Sequence, residues 1–220
     1  SGNFAKVAAF STQTYKHMNS GEGGLLTTND PELAARAVVS SGSYMLYGRH
    51  GAIPDEEVCQ QSRWHAPNYS GRMDHLRAAI LRAQLPRLED NITRWNALYD
   101  QLHERFSAMD GVTIPPRKQE EFYVGSSIQF RADKLDKSAI PAFLNDCAAR
   151  GVELKWFGED EPKAFTSRYD SWAYIDDMPH LPNTLKVLDK TLDMRVPLTF
   201  DHDDCALIAD IIEDELSKRK

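Results

Sequence analysis

The 220-residue sequence has only three cysteines, Cys59, Cys147 and Cys205, far apart and without a Cys-x-x-Cys pair. Thiols so few and scattered exclude a disulfide framework and a thiolate metal centre, and no metal is expected. No apolar run approaches the ~20 residues that span a bilayer, and no charged-then-apolar leader opens the chain. A soluble, cytoplasmic protein with no membrane partner is the expectation. Basic residues do not gather into a stripe, and 26 Lys and Arg against 33 Asp and Glu leave a formal net charge of -7. The attraction that holds nucleic-acid phosphates is missing, so no nucleic-acid partner is expected.

What is present begins with one lysine. Residues 7–10 form a short apolar run that reads as a buried strand, leading through Ser11 to a lone Lys16 and the glycine-dense turn Gly21-Glu22-Gly23-Gly24. Open α/β sheets place ligands at the carboxyl ends of their strands, so Ser11 and Lys16 are expected at that edge. An amine there, beside glycines that let backbone approach closely, is placed to act as a nucleophile toward a flat aldehyde cofactor. The plainer alternative is a strand that ends in a solvated lysine and turns back as a hairpin.

Residues 25–28 read as a second strand. Asp30-Pro31-Glu32 starts a helix, with Asp30 as N-cap and Pro31 at the first helical position, running to about Ser40. Residues 41–71 are rich in Gly, Ser, Tyr and Pro without periodicity and read as loop, of a length uncommon unless functional. From Met73, the apolar stripe Leu76, Ile80, Ala83, Leu88, Ile92, Trp95, Tyr99, Leu102 and Phe106 predicts a long amphipathic helix bent at Pro86. Asp110-Gly111 ends it and Pro115-Pro116 marks a boundary. Beyond lie a strand (123–130), a helix (137–149, closed by Gly151), a strand (152–156), an aromatic segment, and a final strand and helix. This alternation describes a small α/β sandwich. The last helix, 203–216, is expected to bury Leu207, Ile208, Ile211 and Ile212, and its Asp201-His202-Asp203-Asp204 opening reads as capping rather than as a metal site.

Residues 11–28 resemble the cofactor-lysine segment of the DegT-type (StrS-type) sugar aminotransferases, pyridoxal-phosphate enzymes of the aspartate-aminotransferase fold type. Ser11, Lys16 and Gly21-Glu22-Gly23-Gly24 match the family pattern in order and spacing. A second block, Asn68-Tyr69-Ser70-Gly71-Arg72-Met73-Asp74 followed by Ala78-Ala79-Ile80-Leu81 and Gln84-Leu85, is similar to the family's Asn-x-Arg-Met segment and the helix after it. Arg49-His50-Gly51 also resembles a recurrent family tripeptide.

The resemblance implies an α/β chain of fold type I. Residues 1–110 are then the C-terminal part of the pyridoxal-phosphate-binding large domain, with part of its sheet and a long bridging helix, and residues 111–220 are a complete small C-terminal α/β domain. It further implies that the chain is the C-terminal portion of a longer protein and inactive by itself. Lys16 would carry pyridoxal 5'-phosphate as a Schiff base and then shuttle a proton, both tasks of a neutral amine. Ser11 would donate to the cofactor phosphate, and its alternative is a strand-end serine bonding backbone. A polar residue of the second block would reach the phosphate in the partner subunit, making a homodimer with shared active sites. Ser70-Gly71 departs from the family pattern, so that contact is open among Asn68, Ser70 and Arg72, with Asn68 and Arg72 ranked first. Arg72 is alternatively a helix-entry residue bonding a carboxylate. The implied reaction moves an amino group from glutamate or glutamine to a keto-sugar, nucleotide-linked, or to a keto-cyclitol. The related sugar dehydratases carry histidine in place of the lysine. Residues 41–50 and Trp156, Phe157, Phe165, Tyr169, Trp172 and Tyr174 are candidates to line the substrate cleft, the alternative being that the aromatics form core. The alternative is a catalytically silent paralogue or an interaction fragment of the same fold.

Overall fold

The strand expected near the N-terminus forms as β1 (Val7–Ser11), and it pairs antiparallel with β2 (Gly24–Thr28), from Val7 opposite Thr28 to Ser11 opposite Gly24. A computed structural model describes residues 2, 4–43, 45, 47–49, 51, 53–161 and 169–219, so His50 and Phe165 lie outside the described residues. These form two compact units, Ser1–Glu89 and Asp90–Lys220. The strand is not buried as expected: every residue of the ribbon except Ala8 and Thr28 is exposed. Its two strands form a sheet of their own, and a two-stranded ribbon has too little surface to bury both its faces.

In the first unit, α1 (Pro31–Val38) starts as its sequence dictates, the Asp30 carboxylate accepting from the backbone N–H groups of Glu32 and Leu33 at 3.0 and 3.2 Å. Those bonds satisfy donors that a helix start leaves orphaned. The helix runs on through a wider turn, Val39–Ser43, in which Gly42 has φ 106°. Residues 41–71 are not all loop. A short α2 (Glu56–Ser62) forms there because Cys59 buries itself against Ala35 of α1, a tertiary contact that composition does not announce.

The long amphipathic stretch divides at Pro86 as expected. It gives α3 (His75–Gln84), capped by Asp74, then a tight 3-10 turn at Leu85–Arg87, then α4 (Leu88–Ala108). The stripe is buried only in its second half. Leu76 and Ile80 stay 73% and 41% exposed, whereas Leu98, Tyr99, Leu102 and Phe106 enter the core of the second unit.

That unit is built on an antiparallel sheet of β3 (Val112–Thr113), β4 (Ser127–Ala132), β5 (Lys155–Trp156) and β6 (Thr191–Arg195), in the order β3-β4-β6-β5. Ile128, Phe130 and Ala132 alternate inward along β4, and Phe130 meets Phe106 edge-on at 4.9 Å. Helices α5 (Ile140–Ala149), α6 (Pro182–Leu188) and α7 (His202–Ser217) complete it. The strand read at 123–130 starts later, at Ser127, and the one at 152–156 pairs only at Lys155 and Trp156. On α7, Ile211 and Ile212 are buried and Ile208 packs against the core as expected, whereas Leu207 is 59% exposed and Cys205 and Ala209 complete the buried face. The acidic opening is a capping box in which Asp201 accepts from Asp203 and Asp204 N–H groups, and Asp204 accepts from Asp201 N–H.

On the same face of α7 lies a buried carboxylate, Glu215, 3% exposed. It accepts from Lys218 Nζ and Arg150 Nη1, both at 2.8 Å, and from Arg219 Nη1 at 3.2 Å. The hydrogen bond from Lys218 first, and that from Arg150 next, hold its carboxyl down at about 2. All three cysteines are free and buried, and burial pushes the Cys147 thiol up to about 12 and the Cys205 thiol to about 11. Among the described residues no helix is long and apolar enough to cross a membrane.

Candidate active site

Lys16 sits at the exposed tip of the loop joining β1 to β2. The loop is closed like a purse. Thr12 N–H donates to Gly23 O at 2.9 Å, Ser20 N–H to Thr12 O at 2.8 Å, and Thr14 N–H to Gly21 O at 2.8 Å. Inside it the hydroxyls of Thr12 and Ser20, both buried, meet at 3.1 Å, and Ser20 also donates to Glu22 O at 3.1 Å. The glycine motif is required by this closure: Gly23 has φ 133°, and a Cβ there would stand 2.9 Å from Thr12 Oγ1 and 3.4 Å from the Met73 methyl. Sequence spacing showed a glycine turn but not the buried hydroxyl pair it wraps.

The tip is also held from outside. At the C-terminal end of α3, Gln84 Oε1 accepts from Asn19 N–H at 3.0 Å, and its Nε2 donates to Asn19 O at 2.6 Å. Asn19 Nδ2 in turn donates to Lys16 O at 3.3 Å. This contact joins residues 65 apart in sequence, and local pattern gives no signal of it.

Ser11, at the end of β1, accepts from Gln13 N–H at 3.2 Å, the backbone bond foreseen as its alternative role. That bond uses a lone pair, so the hydroxyl proton is left to donate elsewhere. The second block folds over the turn after α1. Tyr69 N–H donates to Ser40 O at 2.8 Å, and Arg72 Nη1 donates to Gly42 O at 2.8 Å, a carbonyl rather than the carboxylate considered for it. Gly42 is the meeting point: a Cβ there would collide with Arg72 Nη1 at 1.9 Å and press on Asn68 Oδ1 at 3.0 Å.

Asn68 Oδ1 accepts from Ser70 N–H at 2.8 Å and from the Ser70 hydroxyl at 3.2 Å. Ser70, at φ 51°, thereby spends its one hydroxyl proton inside the turn. Among the described residues, Asn68 keeps its NH2 group to donate, and Arg72 keeps four of the five donors of a guanidinium. The structure thus brings Asn68, Ser70 and Arg72 together at Gly42, and the neighbouring Met73 against the Lys16 loop at Gly23.

Among the aromatic candidates, Trp156 is a core residue, 5% exposed, whose Nε1 donates to Asp189 O at 2.9 Å. Trp172 and Tyr174 stack at 5.9 Å. Phe157 and Tyr169 line a cleft of about 200 Å³ in the second unit, with Lys137, Asp160, Asp170 and Asp189.

Four likenesses to known proteins stand beside this geometry. Residues 1–212 match the DegT/DnrJ/EryC1/StrS aminotransferase family. The spore coat polysaccharide biosynthesis protein SpsC of Bacillus subtilis (strain 168) is 32% identical over 117 residues, 52% of this chain and 29% of that protein. The dTDP-3-amino-3,4,6-trideoxy-alpha-D-glucose transaminase of Streptomyces venezuelae is 25% identical over 204 residues, 84% of this chain and 49% of that one. In three dimensions, the aminotransferase TlmJ of Streptoalloteichus hindustanus superimposes with a TM-score of 0.78 at 20% identity, covering 99% of this chain and 54% of its own. The architecture is therefore the expected α/β fold of fold-type-I sugar aminotransferases. The chain spans about half the length, or less, of these relatives.

Proposed function

Because the chain belongs to the DegT/DnrJ/EryC1/StrS aminotransferase family, we propose that it carries the catalytic lysine of a pyridoxal-phosphate aminotransferase. The reaction passes an amino group from glutamate or glutamine to a keto-sugar, nucleotide-linked, or to a keto-cyclitol. One observation carries this reading: a single lysine, Lys16, stands exposed at the tip of a loop closed by hydrogen bonds and anchored to a helix. A solvated lysine in an ordinary hairpin has no need of such fastening.

The residues present fit the cofactor. Bound pyridoxal phosphate would supply an aldehyde to receive an amine and a ring that withdraws electrons from the adjoining carbon. Lys16 Nζ is the amine that would hold it and, when released, move a proton between neighbouring carbon atoms. Ser11 has a hydroxyl proton to offer a phosphate oxygen, and Asn68 and Arg72 retain donors for the same kind of acceptor. Ser70 does not, because its proton is committed to Asn68.

In this reading Asn68 and Arg72 serve the phosphate of a partner subunit, so that the working unit is a homodimer with active sites shared between subunits. The exposed apolar faces of the β1–β2 ribbon belong, in the same reading, to the wider sheet of a large domain of which residues 1–110 are the C-terminal part. Residues 111–220 are the small domain.

Titration of the intact protein with pyridoxal phosphate, followed by borohydride reduction and peptide mapping, tests the proposal. A pyridoxyl group on Lys16 is the expected result. Its absence there overturns the enzyme reading and leaves the silent paralogue.

A further inference from the structure

We propose that Gln84 is a positioning residue for Lys16, acting through Asn19; this deepens the reading above and rests on Lys16 being the cofactor lysine. The loop tip carrying Lys16 hangs between two fastened points. One is the crossing at Thr14, whose N–H and hydroxyl both donate to Gly21 O, at 2.8 and 3.0 Å. The other is Asn19, where the Gln84 carboxamide pairs with both backbone groups of one residue, as a neighbouring strand would. This pairing fixes which way the amide points, since the reversed orientation would set N–H against N–H.

Only a neutral side-chain amide of this length supplies an acceptor and a donor together. Glutamate keeps the acceptor and loses the donor, asparagine is one methylene short, and leucine fills the space with neither. The Asn19 carboxamide carries the constraint one step further, to the carbonyl of Lys16 itself at 3.3 Å. Removing Gln84 leaves the tip tied through the hairpin alone, and the ordering of residues 15–19 must then be met at the moment the amine reacts.

Gln84 has a second consequence from its place on α3. The helix begins three residues after Arg72, and its ten residues make a rod of about 15 Å whose far end holds the Lys16 loop. The second block and the lysine are therefore set by one rigid element, with Met73 touching the loop at Gly23. An amine held in this way tolerates little displacement, because reacting groups lose rate steeply when misplaced by about 1 Å.

The test is the rate of pyridoxyl-Lys16 formation in the intact protein, with pyridoxal phosphate as probe, borohydride quenching at timed intervals and quantification by mass spectrometry. Gln84→Leu is expected to slow that rate by about tenfold at an unchanged melting temperature. Gln84→Glu is expected to fall between Leu and wild type, with its deficit growing as pH rises and the carboxyl loses its donor. Asn19→Ala, which removes the bond to the Lys16 carbonyl and leaves the Gln84 carboxamide in place, shifts the rate in the same direction by less. Gln101→Leu breaks a comparable amide bond, to His202 O in the second unit, and leaves the rate as it was.

Wild-type rates in both Gln84→Leu and Asn19→Ala overturn the positioning role while leaving the cofactor lysine in place. Absence of any adduct on Lys16 in the wild type overturns both together. If Gln84→Leu does not fold, Asn19→Ala decides the matter by itself.

Discussion

The two units hold their shapes by different means. Asp90–Lys220 has a continuous apolar core running from Leu98 to Ile212, with Phe106, Phe130 and Phe143 fully buried. Among the described residues, Ser1–Glu89 has only the small cluster of Ala35 and Cys59, with Val39 and Leu81 buried elsewhere, and a ribbon whose Val7, Phe10, Leu25 and Leu26 are exposed. Its geometry comes instead from caps, crossing hydrogen bonds and glycine turns. Stability concentrates where the apolar surface is, and Lys16, the proposed reactive residue, stands where hydrogen bonds, rather than packing, set position.

The strongest way to break this contrast is a pair of matched truncations. Phe130→Ala should cost about 3–5 kcal/mol in urea unfolding of the second unit, because it opens a cavity in a closed core. Phe10→Ala, at a side chain 39% exposed, should cost about 0.5 kcal/mol. Equal losses would mean that the first unit is packed as tightly as the second.

A smaller effect separates polar burial in the second unit from polar fastening in the first. Replacing Glu215 with glutamine leaves Arg150 and Arg219 without their buried counter-charge, so the melting temperature should fall near neutral pH. The sign of the pH dependence follows from the depressed carboxyl, which moves from an ordinary 4.5 to about 2. Its contribution is fully present above about 4.5 and is lost as pH falls through about 2, so the gap between variant and wild type should close across that window. A gap that stays constant from neutral pH down to the acid end would show that Glu215 acts by shape rather than by charge.

A more local effect is expected in the first unit. Asp30→Ala should weaken α1 by about 1 kcal/mol, read as faster hydrogen exchange at the Glu32 and Leu33 amides it caps, with the second unit's protection unchanged. Faster exchange in β4 or α7 as well would join the two units into one cooperative body.

Legibility followed the range of the interactions. The Asp30 cap, the Pro86 break, the Asp201 capping box and the glycine turn are written within a few residues, and the sequence showed each where the structure has it. The short α2 was missed because it exists through Cys59 meeting Ala35, a contact with no local period. The burial of β1 was misread because an apolar run shows what a strand can bury, not what covers it. Helix periodicity located Ile208, Ile211 and Ile212 on the buried face of α7 but not Glu215, which joins that face because Arg150 arrives from elsewhere in the chain to neutralise it.

At the site the same rule holds. Lys16 and its glycines were visible, and the convergence of Asn68, Ser70 and Arg72 on Gly42 and the clasp of Gln84 on Asn19 were not.

The most direct measurement is amino transfer from glutamate to a nucleotide-linked keto-sugar by the intact protein with Lys16→Ala. The account predicts a rate lower by on the order of 1,000-fold, since no other group of the loop can hold the cofactor and carry the proton. Transfer at the undiminished wild-type rate would contradict it.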